Sequence, residues 1–343
     1  MKNRKVRLLI RIGIYGGFAA FCVTSWFIMI HMPAKSYNGL WKPLTPEEAS
    51  LRDALKADVQ TLGGDIGVRN IFTYDNYMAA KDFITSSFAG AGYEVTLLPF
   101  QVEGQTCFNI AVEISGGTRS EEIVVIGAHY DSVPGSPAAN DNASGVAAVL
   151  ALARAFSDTS PARTLRFVAF ANEEPPFFQT KGMGSLVYAK NSQEKDEQIV
   201  AMMSVETIGY YSEEEGSQNY PFPFSLFYPS RGNFIGFVSD LSSRSLVREV
   251  VESFRNHTPF PSEAAAIPSF ITGVGWSDHW SFWQAGYPAI MITDTAVFRY
   301  PYYHTAQDTP DKLDYDRMAR VVHGLDSVIR KLVDPEDAQG GRP

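Results

Sequence analysis

Two cysteines are all the chain has, Cys22 inside an apolar run and Cys107 in a predicted strand. No disulfide framework holds this protein together, and a closed cysteine-bound metal site is excluded. Cys107 reads as a small buried hydrophobe. Acidic residues are missing from the start, where the first is Glu47. Basic residues are correspondingly scarce afterwards. Of 29 lysines and arginines, Lys2, Arg4, Lys5, Arg7 and Arg11 crowd the amino terminus; the other 24 face 38 acids, a net charge of −14. Phosphate binding needs a basic face, so no nucleic-acid partner is expected. No internal repeat is visible. What is present is a chain of 343 residues, 45% hydrophobic and 13% aromatic, ample for one large core.

Beyond Arg11, IGIYGGFAAFCVTSWFIMI runs from Ile12 to Ile30 without a charge. As a helix it would rise about 28 Å, one bilayer core. Five basic residues before it, against Lys35 and Lys42 after it, set the amino terminus in the cytoplasm and the remainder outside. The expectation is an uncleaved single-pass anchor over residues 1–30 in the cell membrane. Secretion after signal cleavage is the alternative, although the run exceeds a usual signal core and no A-x-A site follows Ile30. Residues 31–45, with Pro33, Gly39 and Pro43, read as a linker lifting the domain off the membrane, 46–333 as one domain, and 334–343 as a loose tail.

Thr45-Pro-Glu-Glu opens a helix, with Thr45 as N-cap and acids near its positive end, running to about Leu62. A second helix spans 75–89 and stops at Gly90 and Gly92. Residues 93–101 and 106–114 read as a hairpin about Gly104. Then strands over 123–129, 164–171 and 199–205 alternate with helices over 145–156 and 183–191, and each strand ends in polar residues. Such alternation predicts a mixed, mostly parallel central sheet with helices on both faces. Residues 211–231 read as an irregular rim loop, 234–240 and 288–293 as strands, 243–257 and 315–333 as helices.

The central stretch is IVVIGAHYDSVPGSPAANDNASG, Ile123 to Gly145. An apolar β-branched run delivers His129, Asp131 and Asp141 at its carboxyl end, the edge of an open α/β sheet where ligands bind. Similar strand ends and a late loop add Glu174, Glu206 and His304. Two imidazoles and three carboxylates suit borderline dications such as zinc. If one carboxylate bridges, five ligands serve two metals with room for a shared water, the arrangement that acidifies water and polarises a carbonyl. Glu173, beside ligand Glu174, is then free to act as general base, and Asp131 can accept the other ring proton of His129. His257, His323 and His31 carry no expected chemistry.

HYDS at 129–132, DNASG at 141–145, the acid pair 173–174, SVETIGY at 204–210, SDHWSF at 277–282 and YYHTAQDT at 302–309 together resemble metallopeptidase family 28, the co-catalytic zinc aminopeptidases, to which glutaminyl cyclases are related. The resemblance covers residues 75–332 and implies a zinc exopeptidase-like fold. It implies two Zn2+ per chain, one held by His129, Asp141 and Glu206 and the other by Asp141, Glu174 and His304, with Asp141 as the bridge. It makes Glu173 the base that passes a proton from water to the leaving amine, and it implies a cis peptide at Asp141-Asn142. One departure is Glu206, where family aminopeptidases usually have aspartate. Asp278, His279 and Tyr303, within these motifs, are the candidate substrate contacts.

The expected function is therefore a membrane-anchored zinc aminopeptidase acting on peptides by a two-metal-activated water. One rival is a glutaminyl-cyclase-like acyltransferase, which needs a single zinc on Asp141, Glu174 and His304. The other is a catalytically inactive binding ectodomain, whose mark would be missing ligands.

Overall fold

The computed structural model describes residues 2–335; the side chains of residues 2–10 and 12 and all of residues 336–343, most of the expected loose tail, lie outside the described set. The first helix, α1, covers Lys2–Met29. Ile14, Tyr15, Phe18 and Phe21 on it are all more than half exposed. Among the described residues no helix is long and apolar enough to cross a membrane; the expected span begins at Ile12, whose side chain is outside that set.

Residues 31–45 differ from a free linker. Met32 is buried, and Trp41 packs edge-on to Phe260 with ring centroids 5.3 Å apart. The segment lies along the domain because arginine, a fork of donors with no acceptor, collects its carbonyls: Arg248 bonds that of His31 at 2.7 Å and Arg255 that of Pro33 at 3.1 Å.

Helix α2, Pro46–Val59, starts as the sequence predicts. Thr45 Oγ1 accepts the Glu48 N–H at 3.1 Å while the Glu48 carboxylate accepts the Thr45 N–H at 2.8 Å, two otherwise orphaned donors satisfied reciprocally. Its regular part is shorter than expected and widens into a π turn over Gln60–Ile66. Helix α3, Tyr74–Gly90, is followed by Gly92 at φ +91°. The predicted hairpin is present as β1, Thr96–Val102, and β2, Gln105–Ile114, turning through Glu103 and Gly104.

The chain then alternates through β3 (Arg119–His129), α4 (Gly145–Phe156), β4 (Arg163–Phe170), α5 (Gly184–Glu194) and β5 (Gln198–Glu206). It continues with β6 (Ile235–Ser239), α6 (Arg244–His257), β7 (Ser262–Ala266), α7 (His279–Gln284), β8 (Ala289–Thr293) and α8 (Tyr315–Val333). One eight-stranded sheet results, ordered β1-β2-β4-β3-β5-β8-β6-β7. Strands β4, β3, β5 and β8 are parallel; β2 and β6 flank them antiparallel. The larger core, including most of α4 and α8, covers one face, and a second cluster with Val125, Phe170, Tyr188 and Phe282 lies under α5 and α7 on the other. Central strands packed on both faces read as continuous apolar runs, which is why β3 was legible.

Candidate metal centre

Every expected ligand comes from a strand end or from a loop that a strand end launches. His129 closes β3 and Glu206 closes β5, while Glu173 and Glu174 follow β4. Asp141 sits just before α4, and His304 is held in a loop at φ +58°. His129 Nε2 lies 3.3 Å from Asp141 Oδ1 and 3.2 Å from Glu206 Oε2. His304 Nε2 lies 3.1 Å from Asp141 Oδ2 and 3.1 Å from Glu174 Oε2. The five donors thus form two triads that share Asp141, one oxygen turned to each. The Asp141-Asn142 peptide is cis. Asn142 Nδ2 donates to the Val205 carbonyl at 2.9 Å and its Oδ1 accepts the N–H of Gly145 and Thr207, which ties the Asp141 loop to the end of β5.

Asp131 does more than its expected part. Its Oδ1 stands 3.4 Å from His129 Nδ1, and its two oxygens accept the N–H of Glu173 at 3.0 Å and of Glu174 at 3.1 Å. One carboxylate therefore faces the candidate ligand His129 and fixes the backbone of the candidate ligand Glu174 and of the candidate base Glu173, whose Oε2 is 3.9 Å from His129 Nε2. Of the three expected substrate contacts, Tyr303 stacks on His304 at 3.8 Å and lines the adjoining pocket. Asp278 and His279 have no solvent exposure. The His279 ring bonds the Val274 carbonyl through Nε2 at 2.7 Å.

The electrostatics are those of a crowded acid cluster. Burial pushes Glu173 well above the ordinary carboxylate range, and burial with the neighbouring Asp141 lifts Glu174 to about 8. Glu206 is raised for the same first reason. Asp141, although burial opposes it, is held below the ordinary range by His129 and His304. Burial likewise opposes the charged form of His304, yet the adjacent carboxylates of Asp141 and Glu174 lift it to about 10. Neither ring nitrogen of His129, nor Nε2 of His304, has a hydrogen-bond partner. Orphaned imidazole nitrogens facing buried carboxylates are costly alone and are met by dications; the donor set fits zinc.

Three supporting groups were not foreseen. Asp308, in the YYHTAQDT motif, accepts the N–H of Asn140 at 2.8 Å and of Asp141 at 3.1 Å, and takes the Tyr300 hydroxyl at 2.8 Å. Ser277, in SDHWSF, donates to Glu206 Oε2 at 2.7 Å. Arg69 is fully buried, and its guanidinium bonds the carbonyls of Tyr130, Pro137 and Ala138, bracing both ends of the loop between His129 and Asp141. The first two had motif membership as a signal. A lone arginine among loop residues had none.

The mixed sheet gathers two imidazoles and three buried acids at its strand ends, the donor set of a metal-dependent enzyme. Residues 109–328 match the model of Peptidase family M28, and this chain belongs to that family. It is 37% identical over 296 residues to uncharacterized protein YfbL of Escherichia coli K12, covering 84% of this chain and 90% of that one. It is 28% identical over 255 residues to aminopeptidase YwaD of Bacillus subtilis, 71% of this chain and 48% of that protein, so it spans about half of that relative's length. The fold is shared with BSAP, a zinc aminopeptidase from Bacillus subtilis, at TM-score 0.66 and 15% identity over 84% of this chain and 96% of that one. It is shared also with a Fimbriiglobus ruber glutaminyl cyclase, at TM-score 0.60 and 20% identity over 88% and 99%.

Proposed function

We propose that this protein is an aminopeptidase with two zinc ions per chain that removes the N-terminal residue of peptides. The observation that carries the reading is the division of five donors into two triads sharing Asp141, with Glu173 left over beside them. His129, Asp141 and Glu206 would hold one ion and Asp141, Glu174 and His304 the other. Bound there, the ions would acidify water and polarise the scissile carbonyl. Glu173 takes the proton from the attacking water and passes it to the leaving amine, the task of a general base that becomes a general acid. Asp131 acts through other groups, fixing the Glu173 and Glu174 backbone and facing His129 Nδ1. Glu206 has a longer arm than the aspartate usual in the family, and Ser277 steadies it.

The same proposal places the domain of residues 46–333 outside the cytoplasm, tethered by α1. In support, five basic residues precede Ile12 and bare apolar side chains follow from Ile14 onward. Assay of the zinc-loaded protein on aminoacyl amides, N-blocked peptides and glutaminyl peptides, with a metal count, tests the reading. Two zinc per chain and hydrolysis that requires a free amine support it. One zinc per chain with cyclisation of glutaminyl peptides would favour the acyltransferase rival, and a metal-loaded protein inert on the whole panel would favour the inactive ectodomain.

A further inference from the structure

Beside the metal centre lies a pocket with an unusual lining. Its walls are aromatic, with Phe224, Tyr228, Trp276, Phe298 and Tyr303, and among the described residues the only charged ones lining it are Glu206 and Glu263, with no lysine or arginine. The strand registers explain how these two acids are arranged. Glu206 pairs with Thr293, Thr293 with Gly236, and Gly236 with Glu263. The four residues form one row across β5, β8, β6 and β7, and laterally paired residues project from the same face of a sheet. At the usual strand spacing the ends of this row are about 14 Å apart, backbone to backbone. Gly236 keeps the floor between them low; a Cβ there would stand 3.2 Å from the Thr293 carbonyl oxygen.

Glu206 belongs to the metal centre, whereas Glu263 serves nothing yet described. Among the described residues its carboxylate has no hydrogen bond and no ion-pair partner within 4.0 Å. The nearby base, Arg255, is committed to Ser262 and to the Pro33 and Ala34 carbonyls. Burial lifts Glu263 to about 7, with Arg255 pulling the other way. An acid left without a partner on the wall of an apolar pocket costs stability, and an incoming cation relieves that cost. Aromatic walls attract cations as well. A side chain that is apolar along its stem and cationic at its tip matches the whole pocket, and lysine's four-carbon stem and arginine's longer guanidinium arm have that form.

Resting on the aminopeptidase reading, we infer that Glu263 is a specificity-determining residue that selects substrates with lysine or arginine at the N-terminus. The α-amine and scissile bond lie at the Glu206 end of the row, and the side chain lies along Gly236 with its cation at Glu263.

The test uses the zinc-loaded full chain in detergent with the para-nitroanilides of lysine, arginine, leucine and norleucine, the last an uncharged match for the lysine stem. The wild type is expected to favour lysine over norleucine in kcat/KM by about 10-fold or more. Glu263→Gln, close in volume, should lower that ratio by about 10-fold or more, and Glu263→Asp should retain part of it. Zinc content of each variant checks that the fold is intact. A wild-type ratio near one, or a ratio unmoved in a zinc-replete Glu263→Gln, overturns this assignment while leucine hydrolysis leaves the aminopeptidase reading standing. Failure to hydrolyse any of the four overturns both.

Discussion

At the scale of single residues, the proposed mechanism separates groups that would hold metal, in two triads sharing Asp141, from Glu173, which would move a proton. Glu173→Gln should keep zinc stoichiometry and lose about 10²- to 10⁴-fold in kcat, whereas His304→Ala should lose about one zinc per chain by metal analysis. A Glu173→Gln protein with near-wild-type turnover would remove Glu173 from the mechanism. The proton inventory gives a second test. Glu174 is lifted from 4.5 to about 8, chiefly by burial, and His304 from 6.5 to about 10. A group whose folded value is raised stabilises the fold fully below its unfolded value and ceases to do so as pH climbs through the folded one. Metal-free protein should therefore lose thermal stability between about pH 5 and 10. Zinc must displace these protons, so its affinity, and the rise in Tm it produces, should grow over the same range. A larger zinc-induced rise at pH 5 than at pH 8 would contradict the ligand assignment.

At the scale of elements, what positions Asp141 is the contact between the start of α4 and the end of β5. Gly145 makes it possible: a Cβ there would stand 2.2 Å from the Val205 carbonyl oxygen and 2.3 Å from Asn142 Oδ1. Both are fixed, so Gly145→Ala must push α4 off β5 and disturb the Asn142 bonds. The expected result is loss of zinc from both triads, since Asp141 serves both, with helix content by circular dichroism little changed. The five candidate donors were legible as a group because each one ends or follows a strong apolar strand; α4 was read to the residue from its nearly all-apolar run and α8 from its amphipathic pattern. The edge strand β7 was not legible. Its sequence, SEAAA, is alanine and glutamate, which favour helix, and only pairing with β6 makes it a strand. Glu263, on that strand, was hidden for the same reason. The supporting role of Arg69 was equally hidden, because it exists only once loops distant in sequence have closed around one guanidinium.

At the scale of the whole molecule, the domain and α1 meet through one helix face. Arg244 donates to the Ile28 carbonyl at 2.6 Å, Arg248 to that of His31 and Arg255 to that of Pro33. Met29 and Ile30 pack against the cluster of Phe224, Ala265, Ile267 and Val274. The carboxyl end of α1 is thus joined to the wall of the pocket: Phe224, Ala265 and Ile267 line both. If α1 is an anchor, the pocket lies close to the membrane surface, with Arg244 on the last turn of the apolar segment and Arg248 and Arg255 on the residues just beyond it. The full chain should therefore remain in the membrane pellet through high salt and alkaline carbonate and leave it only in detergent. A chain starting at His31 should be released. Loss of α1 uncovers Ala265 and Ile267, so that shortened chain should also unfold at lower temperature than the detergent-solubilised full chain. A full chain that stays in solution without detergent would remove the anchor, and a shortened chain of unchanged Tm would show that α1 contributes nothing to the pocket wall.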